Sequence, residues 1–160
     1  MQCGQVRFNR CTTVSALKKY SFDYVVCFDV LEHIEDDAKA LANIHEIMKA
    51  CQVRHLFLRV PALNCIYGSN DKTIGHCRRY SAQSLRALLE KCSFHVKTMR
   101  YQNFPGIIPW ILNGRVLRRP ITVSVLEWGS FDYIVPALRH IEKFVSLPIG
   151  LSINCICTIK

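Results

Sequence analysis

The stretch Phe22-Asp-Tyr-Val-Val-Cys-Phe-Asp-Val-Leu-Glu-His-Ile34 decides the fold of this chain. Its apolar run, residues 24–28, is rich in β-branched and aromatic residues, as is typical of a parallel strand covered on both faces. Asp29, Glu32 and His33 follow directly. Because open parallel sheets bind ligands beyond the carboxyl ends of their strands, these three side chains are candidates for chemistry. The acids at 35–37 have a simpler interpretation, since acids also begin helices, where they favour the positive end of the dipole.

The residues after this stretch alternate between helix and strand patterns. Apolar residues at helical spacing predict a helix over 36–50, and residues 53–60 predict a second buried strand, which Pro61 ends. Arg59 is unusual inside such a strand, and we expect it to snorkel or to pair with an acid. A strand, a helix and a strand in this order predict a right-handed parallel crossover.

Residues 63–80 form a long connection without helix or strand periodicity. Long loops in compact domains are usually functional, and this loop leaves the same edge of the sheet as Asp29. Beyond it, Ser81 is a predicted N-cap for a second covering helix, and residues 94–101 alternate as an outer strand. Residues 104–126 suit either a packed cap over the site or an interfacial membrane element, and the prolines in this segment favour the cap. Residues 131–144 suit a helix, and residues 149–159 suit a final strand in which we expect Cys155 and Cys157 to be core thiols rather than ligands.

The residues before Phe22 carry a weaker pattern. Val6 and Phe8 alternate with polar neighbours, which predicts a short strand over residues 5–10. Residues 11–17 then read as a loop toward Phe22.

Length and composition limit the class of protein. The chain has 160 residues, half of them hydrophobic, which is enough for one domain with a real core. Nine cysteines without regular spacing indicate a reducing compartment, and we expect the cytosol. No apolar stretch approaches the roughly 20 residues that cross a bilayer.

The net charge of +9 comes from residues 51–160, which hold fifteen of the 21 lysines and arginines. A basic surface of this kind steers anionic partners. Because no aromatic-interleaved signature accompanies the charges, we do not expect nucleic acid, and a membrane surface is not favoured.

Several motifs together carry a family resemblance, over residues 20–104 and again over 145–160. They are Asp29-Val-Leu-Glu-His-Ile34, Val60-Pro-Ala62, Tyr67-Gly68, Gly75-His76 and Arg78-Arg-Tyr80. This set resembles class I S-adenosylmethionine-dependent methyltransferases. The resemblance implies an α/β fold with a partial Rossmann-like sheet, mostly parallel with an antiparallel final strand, and helices on both faces. In that family the strand of residues 24–28 is the fourth, bonded to the first and fifth, and the seventh lies between the fifth and sixth.

The resemblance also implies roles for site residues. His33 and His76 are candidate catalytic residues, and either imidazole is suited to act as a general base. Asp29, Leu31 and Glu32 are the candidate contacts of the cofactor, S-adenosylmethionine. The candidate substrate-binding residues lie in the loop after the second strand: Tyr67, Asp71, Arg78, Arg79 and Tyr80. The alternative is that both arginines pair with nearby acids while Tyr80 packs below them.

A departure from the family concerns the cofactor. Methyltransferases hold it with a glycine-rich turn after the first strand, yet no two of the seven glycines here lie within three residues of each other. The turn that follows the third strand in the family usually carries an acid, and Thr12 is the nearest position. We therefore expect a single but incomplete domain: a weak N-terminal segment (1–21), the sheet and its covering helices (22–103), a cap-like insertion (104–130), and a final helix and strand (131–160).

A metal site is not favoured by the sequence. If an ion were bound, its candidate ligands would be Asp29, Glu32, His33 and His76, a set suited to Mg, Mn, Fe or Zn. This arrangement resembles the metal sites of small-RNA 3′-terminal and ubiquinone-biosynthesis O-methyltransferases.

Two classes of function are open. The first is the substrate-side half of a methyltransferase acting on a small-molecule or anionic substrate, inactive without its cofactor turn, with a metal-assisted O-methyltransferase as a variant. The second is a non-catalytic remnant or interaction module. For either class, we expect the edge of the strand at 24–28 to pair with a second copy or a partner chain.

Overall fold

The structure, a computed structural model, describes residues 10–112 and 148–159. Its four strands, β1 (Tyr24–Phe28), β2 (His55–Pro61), β3 (His95–Gln102) and β4 (Ser152–Thr158), form one sheet in the order β1-β2-β4-β3. β1 is parallel to β2, and β4 is antiparallel to both β2 and β3. The first three strands therefore share one direction and the last is reversed. This is the predicted α/β sheet, in which β2, β4 and β3 have the neighbours that the resemblance implies and β1 has one of its two.

The described part of the chain also has five helices: α1 (Arg10–Leu17), α2 (Asp37–Ala50), α3 (Ser69–Thr73), α4 (Ala82–Lys91) and α5 (Ile107–Ile111). α2 begins after Asp36, whose carboxylate accepts a hydrogen bond from the Lys39 amide at 2.9 Å. α4 begins after Ser81, whose hydroxyl accepts from the Ser84 amide at 3.0 Å. Both start positions confirm the predicted helices, and the acids at 36 and 37 do begin α2.

The core lies on one face of the sheet, between the strands and the two longer helices. β2 contributes Leu56, Leu58 and Val60, α2 contributes Leu41 and Met48, α4 contributes Leu85 and Leu89, and β4 contributes Ile153, Cys155 and Cys157. Cys155 and Cys157 are core thiols, as predicted, with their Sγ atoms 3.3 Å apart. This packing fixes β1 and β2 side by side, so that their carboxyl ends meet.

Two predicted segments differ from the structure. Residues 11–17 belong to α1 instead of a loop, and Arg10, predicted to end a strand, begins that helix. The connection over 63–80 is not free of helix, because it contains a 3-10 turn (Asn64–Ile66) and α3. Local i to i+3 and i to i+4 bonds are available to short polar segments that show no apolar periodicity. The predicted strand residues 5–9, the later part of the cap and the helix of 131–144 lie outside the described residues.

Within residues 10–112 and 148–159, β1 is covered on one face, whereas the sequence predicted cover on both. Cys27 is buried, but Tyr24, Val26 and Phe28 are about half exposed, at 58%, 50% and 46%. The described helices cover only the face that carries Cys27, and β2 is the only described strand that pairs with β1. No described helix is long and apolar enough to cross a membrane.

Candidate active site

The carboxyl ends of β1 and β2 hold the candidate site. After β1 the chain turns at Asp29, which adopts a left-handed backbone (φ 52°) that aspartate tolerates better than most residues. A 3-10 turn (Leu31–His33) follows, and it buries Glu32 while His33 stays exposed. The turn therefore separates the two neighbouring side chains, one toward the interior and one toward solvent.

The carboxylate of Asp29 forms an ion pair with Arg59 of β2. Arg59 Nε donates to Asp29 Oδ2 at 2.9 Å, and a second guanidinium nitrogen contacts the same oxygen. Arg59 thus pairs with an acid, which is one of the two alternatives that the sequence predicted. Both side chains are substantially exposed, so this pair contributes little to stability.

Asp71 organises the loop after β2 from a fully buried position. Its carboxylate accepts hydrogen bonds from the Gly68 amide (2.9 Å), from Arg79 Nε (2.7 Å) and from His76 Nδ1 (3.0 Å). Arg79 also donates to the Ala62 carbonyl at 2.8 Å. Burial lowers the pKa of Arg79, and the charge of Asp71 opposes that shift. The pair satisfies two buried charges that would each be costly without the other.

His33 and His76 lie next to each other, with ring centroids 4.8 Å apart in an edge-to-face arrangement. His33 Nδ1 is 3.0 Å from the Gly75 carbonyl, and His76 is held both by Asp71 and by Tyr67, whose hydroxyl donates to the His76 carbonyl at 2.8 Å. Gly75 has a φ of 81°, a conformation that favours glycine. The loop backbone thus sets the position of both imidazoles.

The carboxylate of Glu32 faces these imidazoles but is not hydrogen-bonded to them. It is fully buried, and neither carboxylate oxygen has a hydrogen-bond partner among the described residues. Its Oε1 lies 3.7 Å from His76 Nε2, which is too far for a hydrogen bond. Burial raises the pKa of Glu32, and burial likewise lowers the pKa of His76 despite its contact with Asp71. One ligand atom each from Glu32, His33 and His76 lie within 4.8 Å of one another, so these residues could hold a metal ion.

The remaining loop residues connect the site to α2. Arg78 pairs with Asp37 at 2.9 Å, and the Tyr80 hydroxyl donates to the same carboxylate at 2.9 Å. Burial raises the pKa of Tyr80 well above its ordinary value, and the bond to Asp37 adds to this shift. Tyr67, Arg78 and Arg79 also line a shallow depression of about 240 Å³. A larger depression, about 510 Å³, lies elsewhere, beside residues 18–22 and 50–52.

The structure brings together three of the four candidate metal ligands and separates the fourth, Asp29. Among the predicted substrate-binding residues, Asp71, Arg79 and Tyr80 are buried and paired within the fold, while Tyr67 and Arg78 are partly exposed. The alternative of arginines paired with acids above a packed Tyr80 is therefore what the structure contains. The functional roles of these residues stay predictions.

Three residues of the site were not predicted. Asp37 was interpreted only as a helix start, although its place after the acidic motif is a signal. Gly75 precedes His76 directly, and a glycine beside a candidate residue indicates a special backbone. Trp110, whose ring lies 4.5 Å from the guanidinium carbon of Arg79, carried no signal in the sequence.

The described residues do not form a complete site for S-adenosylmethionine. Leu31 and Glu32 are fully buried, and Asp29 is engaged by Arg59. The four described glycines, at 68, 75, 106 and 150, do not make a glycine-rich turn. The backbone cradle that such a cofactor needs is therefore not provided by this part of the chain.

Comparison with solved structures finds sixteen matching chains, and methyltransferase-like proteins are among them. A SAM-dependent methyltransferase from Archaeoglobus fulgidus is 14% identical with a TM-score of 0.49, over 96% of this chain and 66% of that one. A cyclopropane-fatty-acyl-phospholipid synthase-like protein from Lactobacillus casei is 15% identical with a TM-score of 0.47, over 96% of this chain and 61% of that one. The chain thus spans less than two thirds of the length of either protein. Neither likeness is close enough to indicate what this chain acts on.

Comparison with curated proteins gives no match. A family model does match: that of the methyltransferase domain, over residues 5–98, which is more than half of the chain and includes β1, β2 and the whole loop between β2 and α4. With the sheet order and the motifs at the ends of β1 and β2, this match shows that the chain belongs to the methyltransferase domain family, of the class I type.

Proposed function

We propose that this chain forms the acceptor-binding side of a S-adenosylmethionine-dependent methyltransferase and works in the cytosol on a small-molecule or anionic acceptor. The observation that carries the proposal is the cluster of Glu32, His33 and His76, which lies at the carboxyl ends of two parallel strands in a chain of the methyltransferase family. Buried, unpaired carboxylates are rare in folded proteins, and they concentrate at functional sites.

The cluster suits an acceptor that reacts through a hydroxyl group. Such a group loses its proton as it receives a methyl group, and groups that remove or stabilise charge at that oxygen accelerate the reaction. His33 is exposed and can meet the acceptor, whereas His76 lies deeper and is fixed by Asp71. Tyr67 and Arg78 line the adjacent depression, where the guanidinium would favour an anionic group on the acceptor.

The proposal includes the expectation that this chain alone does not transfer methyl groups. No glycine-rich turn occurs anywhere in its sequence, so the donor lacks its usual backbone contacts. Activity would require a longer form of the protein in which such a turn precedes β1.

The experiment compares two proteins with tritiated S-adenosylmethionine and a panel of hydroxylated acceptors. One protein is this chain, and the other is a longer form read from the transcript upstream of Met1. We expect label transfer by the longer form only. In that form, His76→Ala should lower turnover about 10²- to 10⁴-fold with little change in cofactor affinity, while His95→Ala, an exposed histidine at the start of β3, should change neither. Transfer by neither form would overturn the proposal.

A second candidate function, an interaction module without catalysis, is favoured by the exposed face of β1. Tyr24, Val26 and Phe28 present apolar surface that a partner could cover. Under this candidate, neither form would transfer a methyl group, and His76→Ala would leave association unchanged.

A further inference from the structure

We propose that Glu32, His33 and His76 bind one first-row divalent transition-metal ion, with zinc as the type case. The proposal deepens the function given above, because an ion at this place would lower the pKa of the acceptor's hydroxyl group, whose proton would leave to solvent at the exposed side of the site. Ion binding can nevertheless be measured whether or not the chain transfers methyl groups. The two proposals can therefore fail separately.

The buried carboxylate of Glu32 favours a bound cation. Burying a carboxylate without hydrogen bonds carries a high free-energy cost, and folded proteins normally compensate buried charges by pairing them or by metal coordination. Glu32 is fully buried and has no hydrogen bond to either oxygen among the described residues. Its backbone is held in place, since the Cys77 amide donates to the Glu32 carbonyl at 2.7 Å. The backbone is therefore anchored where a cation beside the buried carboxylate would compensate its charge.

The hydrogen bonds of the two imidazoles leave one nitrogen of each ring free to bind a metal. The Gly75 carbonyl can only accept, so His33 Nδ1 must carry the hydrogen that joins them. The Asp71 oxygen that faces His76 Nδ1 also accepts from Arg79 Nε, so it is an acceptor and the hydrogen of the His76 contact belongs to Nδ1. In their neutral forms both rings then carry a lone pair on Nε2. In metal-bound histidines, the N–H group of the other ring nitrogen usually donates a hydrogen bond to a carbonyl or a carboxylate in this way.

The ligand atoms of the three residues lie at a spacing close to that of a metal site. His76 Nε2 and Glu32 Oε1 face each other at 3.7 Å, and the whole set falls within 4.8 Å. Bonds of about 2.0 to 2.2 Å place the ligand atoms of a tetrahedral zinc ion roughly 3.3 Å apart. Small side-chain rotations would close that difference. Two acceptors that face each other with no donor between them would be bridged by a cation.

The types of ligand indicate which ion would bind, and their burial shows which side of the site is open. Two imidazoles and one carboxylate suit zinc, iron or cobalt, whereas magnesium and calcium prefer oxygen ligands. Glu32 and His76 close the inner side of the site, and His33 lies at its exposed side. Three protein ligands with one open side are typical of catalytic zinc sites. Asp29 takes no part, because Arg59 binds it.

The test is a titration of the metal-free chain, first with Zn²⁺ by calorimetry and then with Co²⁺ by visible absorption. We expect one ion per chain. Glu32→Gln and His76→Asn should each abolish that stoichiometric binding. Asp71→Asn removes no ligand but alters the residue that holds His76, so it should weaken binding about 10- to 100-fold. A thermal melt of each variant without metal identifies any that fail to fold, and binding is compared only among folded variants.

Two control variants protect the result against adventitious binding. His95→Gln removes an exposed histidine away from the site, and Cys77→Ser removes the exposed thiol next to His76. Both should bind the ion as the unmodified chain does. Failure of the unmodified chain to bind zinc or cobalt would overturn the proposal. Unchanged binding in folded Glu32→Gln and His76→Asn, or loss of binding in Cys77→Ser, would also overturn it.

Discussion

Tyr80 connects the loop after β2 to the start of α2 through one hydrogen bond, from its hydroxyl to Asp37 Oδ2 at 2.9 Å. Tyr80→Phe keeps the ring in its buried place and removes only that bond. We expect the free energy of unfolding at pH 7 to fall by about 0.5 to 1.5 kcal/mol. Urea unfolding followed by circular dichroism measures this change. Tyr24→Phe, at an exposed position of β1, is the matched control and should change stability by less than about 0.5 kcal/mol.

The effect of Tyr80→Phe should depend on pH in a defined direction. The pKa of the Tyr80 hydroxyl is raised in the folded chain above its ordinary value of 10.0, so the folded state keeps the proton to higher pH than the unfolded state. The contribution of the hydroxyl is therefore complete below pH 10 and declines as the pH rises beyond that value. The stability difference between the unmodified chain and Tyr80→Phe should narrow above pH 10. A difference that widens there would contradict the assigned bond.

At the scale of elements, Arg79 holds the loop between β2 and α4 to its surroundings. It donates to Asp71 and to the Ala62 carbonyl, and its guanidinium stacks on Trp110 of α5. Arg79→Met would leave Asp71 buried without its cation, which typically costs about 3 to 5 kcal/mol. We expect a loss of that size in urea unfolding.

The matched control for Arg79→Met is Arg86→Met on α4. Arg86 faces Glu90 at 3.8 Å, and both side chains are about half exposed, so removing this pair should cost no more than about 0.5 kcal/mol. If the two arginine variants lost similar stability, Asp71 would not depend on Arg79. The buried network would then not be what stabilises the loop.

The elements show which features could be predicted from the sequence. α2 and α4 combine an N-cap with apolar residues at helical spacing, and both signals are local, so their starts at Asp36 and Ser81 could be predicted. α1 could not, because its helix has almost no apolar face and Val6 and Phe8 suggested a strand nearby. In the loop, the motif identified His76 and Asp71 as important. Their mutual bond and the unpaired state of Glu32 depend on contacts that only the folded chain brings together.

The described residues and the sequence lack the usual contacts for S-adenosylmethionine. Leu31 and Glu32 are buried, Asp29 is engaged by Arg59, and the sequence contains no glycine-rich turn. We therefore expect titration calorimetry of this chain with S-adenosylmethionine to give no binding heat. A cooperative thermal melt of the same sample confirms that the protein is folded. A micromolar dissociation constant would show that the chain has a cofactor site of another construction.

We expect β1 to mediate association of the chain. β1 has β2 as its one strand partner among the described residues, and its exposed face carries Tyr24, Val26 and Phe28. Strands that combine an unpaired edge with apolar side chains readily pair with another chain. We expect the isolated chain to dimerise or to form larger assemblies, as measured by light scattering over a series of concentrations. Val26→Lys should shift the protein toward monomer because a charge on such a strand opposes pairing, whereas Ile108→Lys, at a more exposed apolar position on α5, should not. A monomer at every concentration, with a cooperative melt, would mean that residues of this same chain already protect β1.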